Sequence, residues 1–334
     1  MVTGWREEAQ LSGYHADTEP LDLKTRVAWL YFMEGLTQDA VAARVGLTRQ
    51  RVLKIIAGAR EDGTVQVRVT TSLSKCIELE RQIEARFGVG ECIVIPSPGD
   101  EPKLSDLLGG RAGAYISETL RDGTTIGLGW GHTLQSSLNS ISVRGLRGVT
   151  VVSLLGGLTR ASGVNPSEFA WRFADLIEAE SFLLSAPAVL QDAETATTLR
   201  RHPGIAEVLE RTRMLDMALV SVGNMAPDST LIRYGMIDRE MLTEVTRAGA
   251  VADILCQFID ADGQLLDHPL NQRIMAAELA SLARTPKLIL VSGGWQKVPS
   301  LLAAVRLLHP AVLITDETAA EGMLMSPAAT NDRV

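Results

Sequence analysis

"LTRQRVLKIIAGAREDG", Leu47 to Gly63, places polar and basic residues in its first turn, an apolar stripe behind them and a glycine at its end. Its spacing reads as an amphipathic helix, and its neighbours say what kind. Upstream, Leu23, Val27, Leu30 and Tyr31 recur at helical spacing until Gly35 stops them. Thr37 is placed to cap a second helix with Val41, Ala42 and Val45 on its inner side, and Gly46 then makes a turn. Thr48 is placed to cap the third, with Val52, Ile55, Ile56 and Ala59 inward. Three short helices with a glycine turn between the last two form a helix-turn-helix pattern, spanning 21–70. In that arrangement the first turn of the last helix meets base edges. Here it carries Thr48, Arg49, Gln50 and Arg51, with Lys54 one turn on and Gln38 opening the preceding helix. Arginine reads guanine and glutamine reads adenine through paired hydrogen bonds, whereas Lys54 suits phosphate. The plainer reading is a solvated face on a small helical subdomain.

Charge distribution favours the first reading. From Asp22 to Arg68 there are eight Lys/Arg against five acids, a segment of +3, so with a total of −8 the other residues carry −11. A basic module on an acidic body suggests a localised nucleic-acid contact. At 334 residues the chain suits two domains, and 46% apolar residues suffice for sizeable cores. No apolar run is long enough to span a bilayer, and the first twenty residues lack the apolar core of a signal peptide, so a soluble cytoplasmic protein is expected. Residues 1–20 show no sustained period and read as a flexible arm. Cys76, Cys92 and Cys256 are odd in number and far apart, which reads as reduced structural thiols; the five histidines form no metal set.

After Gly63, "TVQVRV" alternates as a strand, either a wing beside the helices or a lead into the next part. "SKCIELERQIEARFG" is helical with Ile77, Leu79, Ile83 and Phe87 toward one side. It reads as a linker over 71–90, suited to self-association, or as the first helix of the larger domain. From Glu91 to the end, apolar strands ("CIVIP", "TTIGLG", "VTVVSLL", "DMALVSVG", "KLILVSG", "AVLITD") alternate with helical stretches such as Leu104–Leu120, Ser167–Glu178 and Ser300–Leu307. Continuous apolar strands separated by helices predict a parallel sheet covered on both faces, an α/β domain wound in Rossmann-like fashion over 91–334.

In such sheets ligands bind beyond the carboxyl ends of the strands. "GLGWGHT" supplies Gly127, Gly129, Gly131 and Thr133 between a strand and a helix start near His132. Free amides and the Thr133 hydroxyl there suit an anion, or the glycines only make a tight turn. The loop is neither a dinucleotide fingerprint nor a P-loop. Other strand ends supply Gly156 and Gly157, Asn224, Gly293, Gly294 and Lys297, and finally Asp316 and Glu317. Lys297 would neutralise a phosphate while Asn224, Asp316 and Glu317 bind hydroxyls. Their plainer roles are turn glycines, a loop cap, a solvated cation and acids at a helix start.

Taken together, the order of "VAWLYFMEGLTQDAVAARVGLTRQRVLKIIAGAREDGTVQVRV", "IGLGWGHTL", "GAVADILCQFIDADG" and "VSGGWQKVPSLLAAVRLLHPAVLITDETAAEGML" resembles the SorC family of bacterial transcriptional regulators, grouped with DeoR-type sugar-responsive repressors. The resemblance covers nearly the whole chain. It implies a (winged) helix-turn-helix bound to operator DNA, an effector domain similar to sugar-phosphate isomerases and deaminases, and homodimers or homotetramers. It further implies a phosphorylated sugar or related polyhydroxy effector, no cofactor and no catalysis. Carried over by position, the phosphate falls at Gly127, Gly129, Gly131 and Thr133 with Lys297 nearby, and hydroxyl contacts fall at Asp316 and Glu317. Some relatives are thought to hold the effector through a lysine Schiff base, but no lysine lies between Lys103 and Lys287, so reversible binding is expected. A sugar phosphate is the first expectation, and an unphosphorylated polyol such as erythritol or sorbitol the second. The rival from another class is a sugar-phosphate enzyme with an accessory helix-turn-helix. It would need an acid and base near the reacting carbon, and Asp316, Glu317 and His132 form no evident pair.

Overall fold

The computed structural model describes residues 21–61, 64–65, 73–98, 101–142, 145–158 and 164–327. The expected arm (1–20) and most of the expected wing (66–69) lie outside them. Two compact units divide the chain, 1–69 and 70–334.

In the smaller unit, α1 (Leu21–Ala28) runs into a π-helical turn at Trp29–Met33, followed by α2 (Gln38–Val45) and α3 (Arg49–Glu61). The expected punctuation is present. Thr37 Oγ1 accepts from the Ala40 amide at 3.3 Å, and Thr48 Oγ1 accepts from the Arg51 amide at 3.3 Å. Gly46 closes α2 at φ 71°, a left-handed conformation that glycine adopts without steric cost. Val27, Leu30, Val41, Ala42, Val52, Ile55 and Ile56 form one apolar cluster. A core this small binds three helices only because each contributes a stripe to it.

The larger unit begins with α4 (Leu73–Phe87). Its inner side differs from the expected one: Cys76, Leu79 and Ile83 are buried while Ile77 is 40% exposed. Three-residue and four-residue steps from Cys76 complete the stripe, and small buried Cys76 takes the place that the sequence assigned to Ile77. Parallel strands β1 (Glu91–Ile95), β2 (Thr125–Leu128), β3 (Thr150–Ser153), β4 (Glu180–Phe182), β5 (Met217–Val220), β9 (Lys287–Val291) and β10 (Val312–Asp316) form one sheet in the order β1-β10-β9-β5-β2-β3-β4. Alternation along each strand feeds two cores. In β9, Leu288 and Leu290 join one with Ala218 and Val220, whereas Ile289 and Val291 join the other with Met217 and Leu219.

A second sheet was not expected. It is antiparallel and pairs β6 (Gly223–Asn224), β7 (Ala252–Ile254) and β8 (Gln257–Ile259) in that order. These strands, like β4, are two or three residues long. Such pieces are too short for a period to show, and backbone pairing defines them, within the β7–β8 hairpin and with more distant segments for β4 and β6. Among the described residues no helix is long and apolar enough to cross a membrane.

Two helices pack unusually closely beside β2. In α5 (Glu101–Thr119), Gly109 and Gly113 lie one turn apart. A Cβ added to them would sit 2.3 Å from the Thr133 carbonyl oxygen and 2.2 Å from that of Ser137, in and just beyond α6 (His132–Ser136). Gly113→Ala must therefore push α5 away from the 3-10 turn Ser137–Ser140 that continues α6. It should destabilise the larger unit by about 1–3 kcal/mol, lowering Tm by roughly 2–4 °C per kcal/mol in a thermal melt. An unchanged Tm would show that α5 and this turn separate at no cost.

Candidate functional site

A cavity of about 400 Å³ opens where the carboxyl ends of β2, β5 and β9 meet the small antiparallel sheet. In the large sheet β5 lies between β2 and β9. The chain leaves β2 toward β3 and leaves β5 toward β9, so the sheet changes winding direction at the β2/β5 gap. That change of direction opens a crevice above the strand ends, the position where open α/β sheets bind ligands.

Each wall has a local cause. After β2, Trp130 is buried, and Gly131 at φ 121° turns the chain so that His132 and Thr133 open α6 at the rim. After β9, Gly294 at φ 90° plays the same part and brings Gln296 and Lys297 to the opposite side. Both angles favour glycine. After β5, Ser221 and Asn224 lead to a short helix, Thr230–Arg233, whose cap Ser229 and last residue Arg233 also face the cavity, with Asp228 beside them. Within its floor stands Asp253 of β7.

Asp253 is the most perturbed carboxylate here. Burial pushes its pKa up to about 6, against the pull of the Cys256 amide, which donates to Oδ2 at 3.2 Å, and of the Lys297 charge. Gly223 makes room for it, because a Cβ there would lie 1.9 Å from Asp253 Oδ1. Lys297 Nζ donates to the Val222 carbonyl at 3.2 Å, which holds the ammonium over the same floor. Ser229 Oγ is buried without a hydrogen-bond partner among the described residues, an unmet polar atom in the wall. The cavity thus offers two cations, Arg233 and Lys297, two carboxylates and several hydroxyls and amides. Such a set suits a small polyhydroxylated molecule with an anionic group better than an apolar ligand.

The expected site residues separate into two groups. Gly131, Thr133, Asn224, Gly294 and Lys297 line the cavity, together with His132. Gly127, Gly129, Gly156, Gly157, Asp316 and Glu317 do not line it. Gly127 is a packing glycine inside β2, where a Cβ would meet Leu215 at 2.6 Å and Leu154 at 2.7 Å. Gly129 donates to the Leu219 carbonyl and lies beneath Leu255. Gly156 and Gly157 bond instead to Met275 and Ala186, which cover the end of β3. Asp316 is buried behind the wall, where Oδ1 accepts from the Gly294 amide at 2.7 Å and Oδ2 accepts from Ser97. Glu317 turns away to Lys75, 3.6 Å distant. Arg233, Ser229 and Asp253 escaped the sequence reading. The signal for Asp253 is a lone charge inside the apolar run "GAVADILCQFI".

In the smaller unit, Thr48, Arg49, Gln50, Arg51 and Lys54 are all exposed on one end of α3. Arg49 Nε donates to Gln38 Oε1 at 3.3 Å, and its Nη1 lies 3.9 Å from Asp39 of α2. Gln38 and Arg49, both expected at the DNA interface, are therefore neighbours across the α2–α3 turn.

Three short helices thus precede an α/β domain with a polar cavity at its strand switch. Residues 71–325 match the family model described as "Putative sugar-binding domain". The erythritol catabolism regulatory protein EryD of Brucella abortus is 30% identical over 91% of this chain and 97% of its own. A DeoR family transcriptional regulator from Listeria monocytogenes superimposes with a TM-score of 0.69 at 26% identity, covering 74% of this chain and 99% of that one. The full-length sorbitol operon regulator SorC of Klebsiella pneumoniae shares the fold, with a TM-score of 0.69 at 24% identity over 91% of this chain and 98% of its own. The chain belongs to the sugar-binding-domain family of SorC/DeoR-type transcriptional regulators.

The raised pKa of Asp253 has a defined sign. The folded state binds its proton up to about pH 6, the unfolded state only to about pH 3.9, so this group lowers stability as pH rises between those values and leaves it lower above them. Asp253→Asn should remove that slope and raise stability at pH 7 by up to roughly 2–3 kcal/mol. Urea unfolding at pH 4.5 and 7.5 measures it; an equal slope in the variant would assign the proton elsewhere.

Proposed function

We propose that this regulator represses a carbohydrate or polyol catabolic operon and is released by a small polyhydroxylated effector, preferentially phosphorylated, that binds reversibly in the cavity. The observation that carries the reading is the cavity at the sheet's switch point, where Arg233 and Lys297 supply positive charge and Asp253 and Asn224 supply hydroxyl partners, in a chain of the sugar-binding-domain family. EryD is named for erythritol catabolism and SorC for the sorbitol operon, which supports free polyols as the second class of effector.

On this reading the smaller unit is the DNA-binding domain and the larger one the effector domain. Helix α3 enters the major groove. Arg49 and Gln50 meet base edges, Thr48 and Arg51 flank them, Gln38 braces Arg49, and Lys54 meets phosphate. One such helix makes too few contacts for specificity, so a homodimer or homotetramer presents α3 to paired half-sites. The effector releases operator by binding more tightly to the arrangement of subunits that fits those half-sites poorly. No step in this scheme is catalytic.

In vitro selection of DNA by the full-length protein should return a symmetric or repeated motif. Arg49→Ala or Gln50→Ala should weaken that duplex by about 1–3 kcal/mol and relax one base position, read by competition with single-base variants. Undiminished discrimination would remove both from the base-reading set. Calorimetry with ribose 5-phosphate, glucose 6-phosphate, erythritol and sorbitol tests the effector. Lys297→Ala should abolish binding of the phosphorylated compounds while leaving operator affinity within about twofold. Full affinity in that variant, or conversion of any of these compounds to product, would sink the reading.

A further inference from the structure

The loop after β9 touches the cavity on one side and the last helix, Glu317–Met325, on the other. Gly293, Gly294 and Lys297 face the cavity. Behind them the Gly294 amide is held by Asp316, the residue that precedes this helix. Trp295 lies over the helix itself. A Cβ added at Gly322 would sit 2.9 Å from the Trp295 ring and 2.6 Å from Val298, so loop and helix meet with no side chain's width between them. Ser97 completes the joint by accepting from the Thr318 amide at 2.9 Å and donating to Asp316.

On its far side the same helix is fastened to α4. Lys75 Nζ lies 2.7 Å from Glu321 and 3.6 Å from Glu317, and the Arg86 guanidinium donates to the carbonyls of Leu324 and Ser326. Helix α4 is the first element of the larger unit, so it is where the chain arrives from the smaller one. A buried carboxylate bonded on both sides and a ring stacked on a glycine leave little slack. A ligand that draws Gly294 or Lys297 inward must move the helix or break these contacts.

Resting on the effector reading above, we propose that helix Glu317–Met325 relays occupancy of the cavity from the Gly293–Lys297 loop to α4, with Asp316 and Lys75 as the positioning residues at its two contacts. Neither need touch the effector. Asp316 fixes the wall from behind, and Lys75 carries the helix's position into the segment that leads to DNA. Coupling of this kind is reciprocal, so α4 must also influence the wall.

Hydrogen exchange on the full-length protein, without any ligand, reads the relay directly. Lys75→Met should speed exchange of the Gly293–Lys297 amides about two- to fivefold, and Lys75→Glu combined with Glu321→Lys should restore it, while amides of β2 and β5 stay unchanged. Unchanged exchange at Gly293–Lys297 in Lys75→Met would overturn the relay. A uniform rise across β2 and β5 would also overturn it, since that marks simple destabilisation. Asp316→Ala added to Lys75→Met should speed the loop no further than Asp316→Ala alone; additive effects would mean independent contacts. If ribose 5-phosphate and erythritol fail to bind the parent protein by calorimetry, the effector reading fails by itself and the exchange result still decides the relay. Where one binds, Lys75→Met should cut its effect on operator affinity at least fivefold with effector affinity retained. An undiminished effect would count against the relay.

Discussion

The pairing of β5 with both β2 and β9 governs the rest of the larger unit. Met217, Ala218 and Leu219 hold register with Ile126–Leu128 on one side and with Lys287–Ile289 on the other. Because all three strands are parallel, every connection must cross a face of the sheet, and β5 is where the crossings change direction. The crevice above that point is a topological consequence rather than a local motif. Glycines at Gly131 and Gly294, each at positive φ, then turn the emerging chains around its mouth. Gly109, Gly113 and Gly127 let the surrounding layers approach closely.

Electrostatics inside the crevice follow from burial. Asp253 sits in a fully buried strand, and desolvation works against its charge more strongly than the Cys256 amide and Lys297 work for it. A carboxyl poised near neutrality, next to a lysine held by a backbone carbonyl, either accepts or donates a hydrogen bond to a hydroxyl. On the proposed reading such a pair would discriminate by hydrogen-bonding pattern, because an occupant lacking the matching group would leave buried polar atoms unmet. Asp316 shows the opposite use of a buried carboxylate. Its bonds to Gly294 and Ser97 are internal, and it shapes the wall without entering the cavity.

The three short helices at the N-terminus were legible because their signals are local. Threonine caps at Thr37 and Thr48, the stop at Gly46 and the apolar stripes all act within a few residues of one another. The six strands read from apolar runs are present in the large sheet for a similar reason, since a strand buried on both faces must be apolar throughout. The short strands β4, β6, β7 and β8 left no such trace. β7 and β8 form a tight hairpin while β4 and β6 pair with segments outside their own neighbourhood, and in every case two or three residues hold no periodicity. Glycine-rich strand ends proved ambiguous. Gly131 and Gly294 border the cavity, whereas Gly127, Gly129, Gly156 and Gly157 serve packing, and nothing in their immediate neighbours distinguishes the two uses.

By itself, then, the sequence determined a basic three-helix segment ahead of an acidic α/β body, and the strand ends from which a binding site would be drawn. Those features depend on charge, periodicity and capping, which are properties of neighbouring residues. Only the tertiary structure decided which strand ends share one cavity, that Asp253 and Arg233 belong to it, and that Asp316 stands behind its wall. Those relations depend on the strand order of the sheet. Backbone pairing between segments more than sixty residues apart sets that order, and a Cβ or a carboxylate finds its partner only after the pairing is made.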